Sequence, residues 1–258
     1  MMLLILGSGM GGMTAAAMLA RDGYKVAVLE AASLPGGCSS SYYRKGYTFE
    51  TGATTLIGFD EMQPLWKLEQ ETGIHIPRKE IEPSMTVWLN GKPLIRYKDR
   101  DQWLQESFRF FGEEEAQKKF WKLAFRISDL VWKSSLKNPL FPPQNLKEWL
   151  MLGLNNNPAD AWILKYAFKS VKKVIQGCGI TNPDFLAFAD EQLMITAQAK
   201  CEDTPFIFGA AGLSYTNYSN FSVPGGLIEM IRAVEHYLTE HGSVVKTKHI
   251  VENIAQTE

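Results

Sequence analysis

An α/β fold opening on a parallel βαβ unit is predicted by three observations. A wholly apolar run at residues 2–6 leads into Gly7-Ser8-Gly9-Met10-Gly11-Gly12, residues 13–21 read as a helix stopped by Gly23, and a second apolar run at 26–29 closes on Glu30. Uninterrupted apolar runs are what parallel strands buried on both faces require. Strand, glycine turn, helix and a strand ending in an acid together make a dinucleotide-binding unit.

Each residue of that unit has an expected task. Gly7 permits the tight turn, Gly9 lets the backbone approach a pyrophosphate, and Gly12, with Ala15, Ala16 and Ala17 behind it, lets the helix pack close to the sheet. Unpaired amides and the positive dipole end of the helix then face the phosphates, which makes Gly7, Ser8, Gly9, Met10, Gly11 and Gly12 the expected cradle. Glu30 can accept hydrogen bonds from a ribose hydroxyl, and an acid there disfavours a 2'-phosphate, so NADP is not expected.

Composition excludes other classes. The chain has 258 residues, 45% hydrophobic and 21% charged, with Lys+Arg 27 against Asp+Glu 28. That balance fits a folded globular protein and speaks against a disordered or strongly basic chain, so no nucleic-acid partner is expected. Cys38, Cys178 and Cys201 lie far apart, and His75, His236, His241 and His249 show no ligand spacing, so neither a disulfide framework nor a metal site is expected. The uncharged opening is interrupted by glycines and has no Lys or Arg before Arg21, which argues against a span or a secretory signal. A cytoplasmic, reducing location is the expectation.

The residues after Glu30 separate FAD from NAD. Residues 34–41 read Leu-Pro-Gly-Gly-Cys-Ser-Ser-Ser, and residues 46–55 contain Gly46, Phe49, Gly52, Ala53 and Thr54. A second loop rich in free amides and hydroxyls suits a long cofactor running past the first site. This adds Gly36, Gly37, Cys38, Ser39, Gly52, Ala53 and Thr54 to the expected FAD-binding residues.

On these motifs the segment from Gly7 to Gly58 resembles the carotenoid desaturase and isomerase family of the flavin amine-oxidase superfamily, which includes phytoene desaturases, prolycopene isomerases and retinol saturases. The family pattern GxGxxG, strand-ending Glu, PGG and GxxFxxG reads here as Gly7/Gly9/Gly12, Glu30, Pro35-Gly36-Gly37 and Gly46 to Gly52. Two departures are Cys38, where many superfamily members have Arg, and Glu50, where many have Asp; Cys38 makes an amine substrate less expected. The resemblance implies a Rossmann-type FAD-binding domain with an inserted α+β substrate domain, divided as 1–60, 61–222 and 223–258. It implies an FAD-dependent oxidoreductase acting on a long apolar, carotenoid-like polyene by desaturation or isomerisation, with the flavin as redox centre and no catalytic side chain singled out. An apolar tunnel would be lined from 103–221. Family members run to about twice this length, so the resemblance also implies an N-terminal part lacking a C-terminal half, with a sheet edge left unpaired. Rival readings are an NAD-dependent dehydrogenase and a non-catalytic nucleotide-fold fragment bound at a membrane surface.

The middle of the chain carries its own signals. Residues 85–89 and 93–97 flank Asn90-Gly91, a hairpin signal. Helical periodicity continues in Leu104/Phe108/Phe111, in Phe120/Ala124/Ile127/Val131 and in Leu164/Phe168/Val171/Ile175, with a break at Pro139, Pro142 and Pro143. Residues 103–173 hold 13 of the 30 aromatics and 12 Lys+Arg against 7 Asp+Glu. Basic residues beside aromatics fit helices lying on a membrane surface, and they equally fit an aromatic core under a solvated face. Asp190 and Glu191 read as helix surface or cap rather than an acid–base pair, because adjacent helical residues diverge. Near the end, Pro224-Gly225-Gly226 precedes a helix. The resemblance brings Gly225 and Gly226 to the cofactor region and makes Val251 the strand residue that meets the adenine, with Ile250 as the one-residue alternative.

Overall fold

The computed structural model describes residues 2–135, 145–155 and 157–255. In chain order the elements are β1 (Met2–Leu6), α1 (Met10–Arg21), β2 (Lys25–Leu29), β3 (Ser41–Arg44), β4 (Tyr47–Glu50), α2 (Pro64–Thr72), β5 (Lys79–Glu80), β6 (Met85–Leu89), β7 (Lys92–Arg96), α3 (Arg100–Phe111) and α4 (Glu114–Ser135). They continue as α5 (Leu146–Asn155), a 3-10 segment (Pro158–Tyr166), α6 (Val171–Gly177), α7 (Pro183–Thr196), α8 (Phe206–Ser214), β8 (Phe221–Ser222), α9 (Ile228–Glu240) and β9 (Val244–Lys246). The chain divides into two compact units, 1–81 with 220–258, and 82–219. Residues 61–81 therefore belong with the first unit and not with the insert: Leu68, Ile74 and Ile76 of this stretch are buried in its core.

The first unit is a parallel sheet in the order β1-β2-β9. Helices α1 and α9 supply one apolar layer: Met13, Ala16, Ala17 and Ala20 of α1 and Met230, Ile231, Val234 and Leu238 of α9 are buried with Val26 and Val28 of β2. Small alanines on α1 let the helix lie close to the strands. Strand β1 departs from the both-faces-buried expectation, since Met2, Leu4 and Leu6 are exposed. Leu3 and Ile5 share the helix-covered face with their register partners Val26 and Val28, whereas the alternate residues point the other way from an edge position.

The second unit is mostly helical, with the β6–β7 hairpin in register Leu89↔Lys92 around the anticipated Asn90-Gly91 turn, Asn90 taking φ +50°. Its core is aromatic: Trp103, Phe111, Phe120, Trp121, Phe185, Phe188 and Phe206 are buried and meet edge-on or tilted at centroid distances of 5.2–5.7 Å in contacts such as Trp103–Trp121 and Phe120–Phe206. Most of the aromatics of α3 and α4 are thus core. The periodicity Leu164/Phe168/Val171/Ile175 does not form one helix. The 3-10 segment ends at Tyr166, and a new helix starts where Ser170 Oγ caps the Lys173 amide at 3.4 Å. The proline break at 139–143 lies outside the described residues.

Arg96 on β7 holds this core at a corner. It is fully buried; Nε and Nη2 donate to Thr216 Oγ1 at 3.0 and 2.6 Å, Nη2 donates to Leu213 O at 2.6 Å, and the guanidinium lies 4.0 Å from the Trp103 ring centroid. Burial pushes its pKa down to about 9. The aromatic faces take the place of a counter-ion. Replacing Arg96 with Met leaves Thr216 Oγ1 and Leu213 O without their donor and should cost about 2 kcal/mol. Urea denaturation checks this; Arg96→Lys, which keeps the charge but loses the planar fork, should recover only part of the loss.

Candidate functional site

The site is assembled at the C-terminal ends of β1 and β2. Helix α1 begins at Met10 with Gly9 as its N-cap, and no side chain caps it. The amides of Met10, Gly11 and Gly12 therefore lack intrahelical partners, as the first amides of any helix do. A helix end of this kind favours an anion through its amides and dipole.

The glycines separate by the reason each position tolerates no side chain. A Cβ at Gly12 would sit 2.2 Å from Gly7 O and 3.3 Å from Ile5 Cγ2, so this glycine is demanded by helix–strand packing. A Cβ at Gly9 or Gly11 meets nothing within 4 Å, and Gly9 has φ −59°. Nothing inside the fold requires glycine at either place. That open space in front of three free amides is the observation in this structure that fits a phosphate-bearing group, because a side chain there would fill the approach.

Glu30 closes β2 and is held by three bonds. Its Oε2 accepts from the Ser8 amide at 2.9 Å and from Ser8 Oγ at 2.6 Å, and its Oε1 accepts from the Ala32 amide at 2.8 Å. These bonds, the Ser8 hydroxyl first, hold the Glu30 carboxyl below its ordinary range. Ser8 is fully buried and its amide is spent on Glu30, so it is not one of the phosphate-facing groups the sequence led us to expect.

The second loop closes on the first. Gly36 N donates to Ser8 Oγ at 3.1 Å, Gly36 bridges Gly9, and a Cβ at Gly37 would lie 3.5 Å from Gly9 Cα. Gly37–Ser39 form a 3-10 turn in which Gly37 and Cys38 are exposed. Ala53 N donates to Cys38 O at 3.1 Å, which ties exposed Gly52, Ala53 and Thr54 to the same turn. Gly7, Gly9, Gly36, Gly37, Cys38, Gly52 and Ala53 are thus brought together around Ser8 and Glu30.

Two expectations are altered. Gly226 comes against the β3–β4 hairpin: with φ +99°, a Cβ there would lie 2.7 Å from Ser41 Oγ and 3.2 Å from Glu50 Oε1, whereas at Gly225, with φ +90°, it would lie 3.0 Å from Glu229 Cγ on α9. Their glycine character has an internal cause. Val251 lies in no strand; residues 250–255 are irregular and Val251 is exposed, because pairing beside Glu30 is carried instead by Lys248 N to Ala32 O and His249 N to Glu30 O, at 2.9 and 2.8 Å.

Glu50 and Ser41 were missed as a pair. They face each other in the β3–β4 register, Ser41 Oγ donates to Glu50 Oε2 at 2.7 Å, and Glu50 Oε1 accepts from Leu227 N at 3.0 Å, just before α9. The only signal in the sequence was an acid in the GxxFxxG motif, and its partner is legible once the hairpin register is known. Asp190, read as surface or cap, accepts from Cys201 N at 2.8 Å and fixes the turn after α7. All four histidines are exposed.

Residues 5–72 match the family model described as an NAD(P)-binding Rossmann-like domain. The chain is 27% identical to a chloroplastic prolycopene isomerase of Daucus carota over 97% of this chain and 41% of that protein. It is 33% identical to a neurosporene-forming phytoene desaturase of Cereibacter sphaeroides over 34% of this chain and 17% of that one. Among solved structures, a putrescine oxidase superposes with a TM-score of 0.58 at 17% identity, covering 96% of this chain and 51% of the oxidase, so the two share a fold.

Two substitutions separate packing from ligand approach. Gly12→Ala should destabilise the protein by more than about 2 kcal/mol, since overpacking against backbone cannot relax. Gly9→Ala should leave the thermal midpoint unchanged while weakening nucleotide binding. Thermal unfolding with a parallel binding titration reads both. Glu30, with its folded pKa depressed, contributes stability that is present above the ordinary carboxylate range and lost as pH falls through its folded pKa. Glu30→Gln should therefore flatten the acid limb of the stability curve. The chain spans about two fifths of the length of the prolycopene isomerase it matches, and within that span it is similar to prolycopene isomerases and, over a third of this chain, to a phytoene desaturase.

Proposed function

We propose that this chain carries the nucleotide-holding part of an FAD-dependent oxidoreductase that acts on a long apolar polyene, by desaturation or isomerisation. The observation that carries the reading is the open approach at Gly9 and Gly11 in front of the uncapped amides of α1, with Glu30 beside it. The amides of Met10, Gly11 and Gly12 would hold a pyrophosphate, Glu30 would take the ribose, and the Gly37–Ser39 turn would pass the cofactor onward. When bound, the flavin supplies hydride or electron transfer, and the protein supplies binding, orientation and exclusion of water. An NAD-dependent dehydrogenase would leave the 36–39 turn and its tie to residues 52–54 without use.

Purified full-length protein should retain a yellow flavin, and titration of the apoprotein should give much tighter binding of FAD than of NAD. Preference for NAD, or no uptake of either, would overturn the assignment. The substrate class rests on the names of the relatives, and pigment analysis in cells accumulating a coloured polyene precursor tests it.

We also propose a peripheral membrane contact through α5. Leu146, Leu150 and Leu154 recur every four residues and are 86%, 64% and 76% exposed, with Met151 and Lys147 on the same helix and Lys165 and Lys169 further along the chain. Apolar side chains flanked by lysines fit an anionic lipid surface. At ten residues, α5 is too short to span a bilayer, and no helix among the described residues is long and apolar enough to cross one. In vesicle flotation, protein should float with phosphatidylserine-containing vesicles, and Leu150→Glu with Leu154→Glu should release it.

A further inference from the structure

We propose that Ser8 is a positioning residue for Glu30: it locks the acid so that one acceptor site on Oε1 is left for a ribose hydroxyl, and it does so without touching the ligand. The proposal rests on the reading of the site as an adenosine-diphosphate pocket.

The geometry is specific. Ser8 makes three bonds from one buried position: Oγ donates to Glu30 Oε2 at 2.6 Å, the amide donates to the same oxygen at 2.9 Å, and Oγ accepts from Gly36 N at 3.1 Å. An ionised carboxylate offers about four acceptor sites. Ser8 fills both on Oε2, and Ala32 N takes one on Oε1 at 2.8 Å, which leaves a single site on Oε1. A neutral hydroxyl can donate to that site, whereas a 2'-phosphate brings negative charge against it. One hydroxyl thereby couples three things: the ionised state of Glu30, the direction of its remaining acceptor, and the closure of the Gly36 loop on Gly9.

The depressed Glu30 titration agrees with this arrangement, the Ser8 hydroxyl being its largest cause. Other titratable groups lie nearby. Lys246, Lys248 and His249 sit on the segment whose backbone pairs with Glu30 and Ala32, and Cys38 sits on the second loop. His249 Nδ1 meets Thr247 O at 2.8 Å. The hydrogen bonds to the Glu30 carboxylate come from Ser8 and Ala32, with the Ala31 amide the weakest of the groups that hold its pKa down.

The test is calorimetric titration of ADP into full-length apoprotein from pH 4 to 8, for the wild type, Ser8→Ala, Ser8→Cys and His249→Gln. Binding needs ionised Glu30, so it fades as pH falls through the Glu30 titration. Ser8→Ala should weaken binding at pH 7 about tenfold, as loss of one charge-assisted bond implies. It should also move the acid midpoint of binding upward, toward the ordinary carboxylate range. Ser8→Cys, a near-isostere with a weak donor, should fall between, and His249→Gln should superimpose on the wild type. A purely structural Ser8 would lower affinity at every pH without moving the midpoint, and that result overturns the proposal. Unchanged affinity in Ser8→Ala overturns it too. If the wild type binds no ADP at any pH, the pocket itself is misread and the Ser8 proposal falls with it. Should the Ser8 variants fail to fold, carbon-13 titration of the wild-type Glu30 carboxyl decides: a midpoint in the ordinary range overturns the lock, and a depressed one supports it.

Discussion

The first unit depends on how closely α1 lies against β1. At Gly12 the helix meets the carbonyl of Gly7 so closely that no side chain fits between them, and Ala16, Ala17 and Ala20 beyond it are buried in the same core. That approach fixes where the helix starts, and the start fixes where its unpaired amides are. It also sets the placement of Ser8 under the turn, the reach of Ser8 to the end of β2, and the return of the 36–39 turn over Gly9. A looser helix would still be a helix, but its amides would no longer share a wall with Glu30.

Much of this was legible beforehand because each part is local. Glycines at positions 7, 9 and 12 and an acid at position 30 lie within one βαβ unit, where chain geometry leaves little freedom, and the Asn90-Gly91 turn is set by two residues. The features that escaped were non-local. Nothing in the sequence around Glu50 tells that it joins Ser41 to the amide of Leu227, 177 positions away. The internal reason for Gly226 is hidden in the same way, so it read as a cofactor-approaching glycine. Apolar periodicity also carries no information about layers: residues 2–6 look like a strand covered on both sides, and one face is open.

The aromatic, basic middle of the chain posed the choice between a core and a lipid-facing surface, and the second unit contains candidates for each. Trp103, Trp121 and Phe188 surround a buried arginine whose charge is met by ring faces, the Leu213 carbonyl and the Thr216 hydroxyl. Leu146, Leu150 and Leu154 of α5 are exposed, on a helix of ten residues. The same composition thus leaves some apolar side chains buried and others exposed, and only the burial of each side chain tells which.

A crystal structure of the full-length protein grown with FAD would test the central claim most directly. The account predicts a pyrophosphate within hydrogen-bond reach of the Met10, Gly11 and Gly12 amides and a ribose hydroxyl on Glu30 Oε1, with Ser8 still bonded to Oε2. A dinucleotide bound elsewhere, or a Glu30 swung away from Ser8 to meet it, would contradict the account.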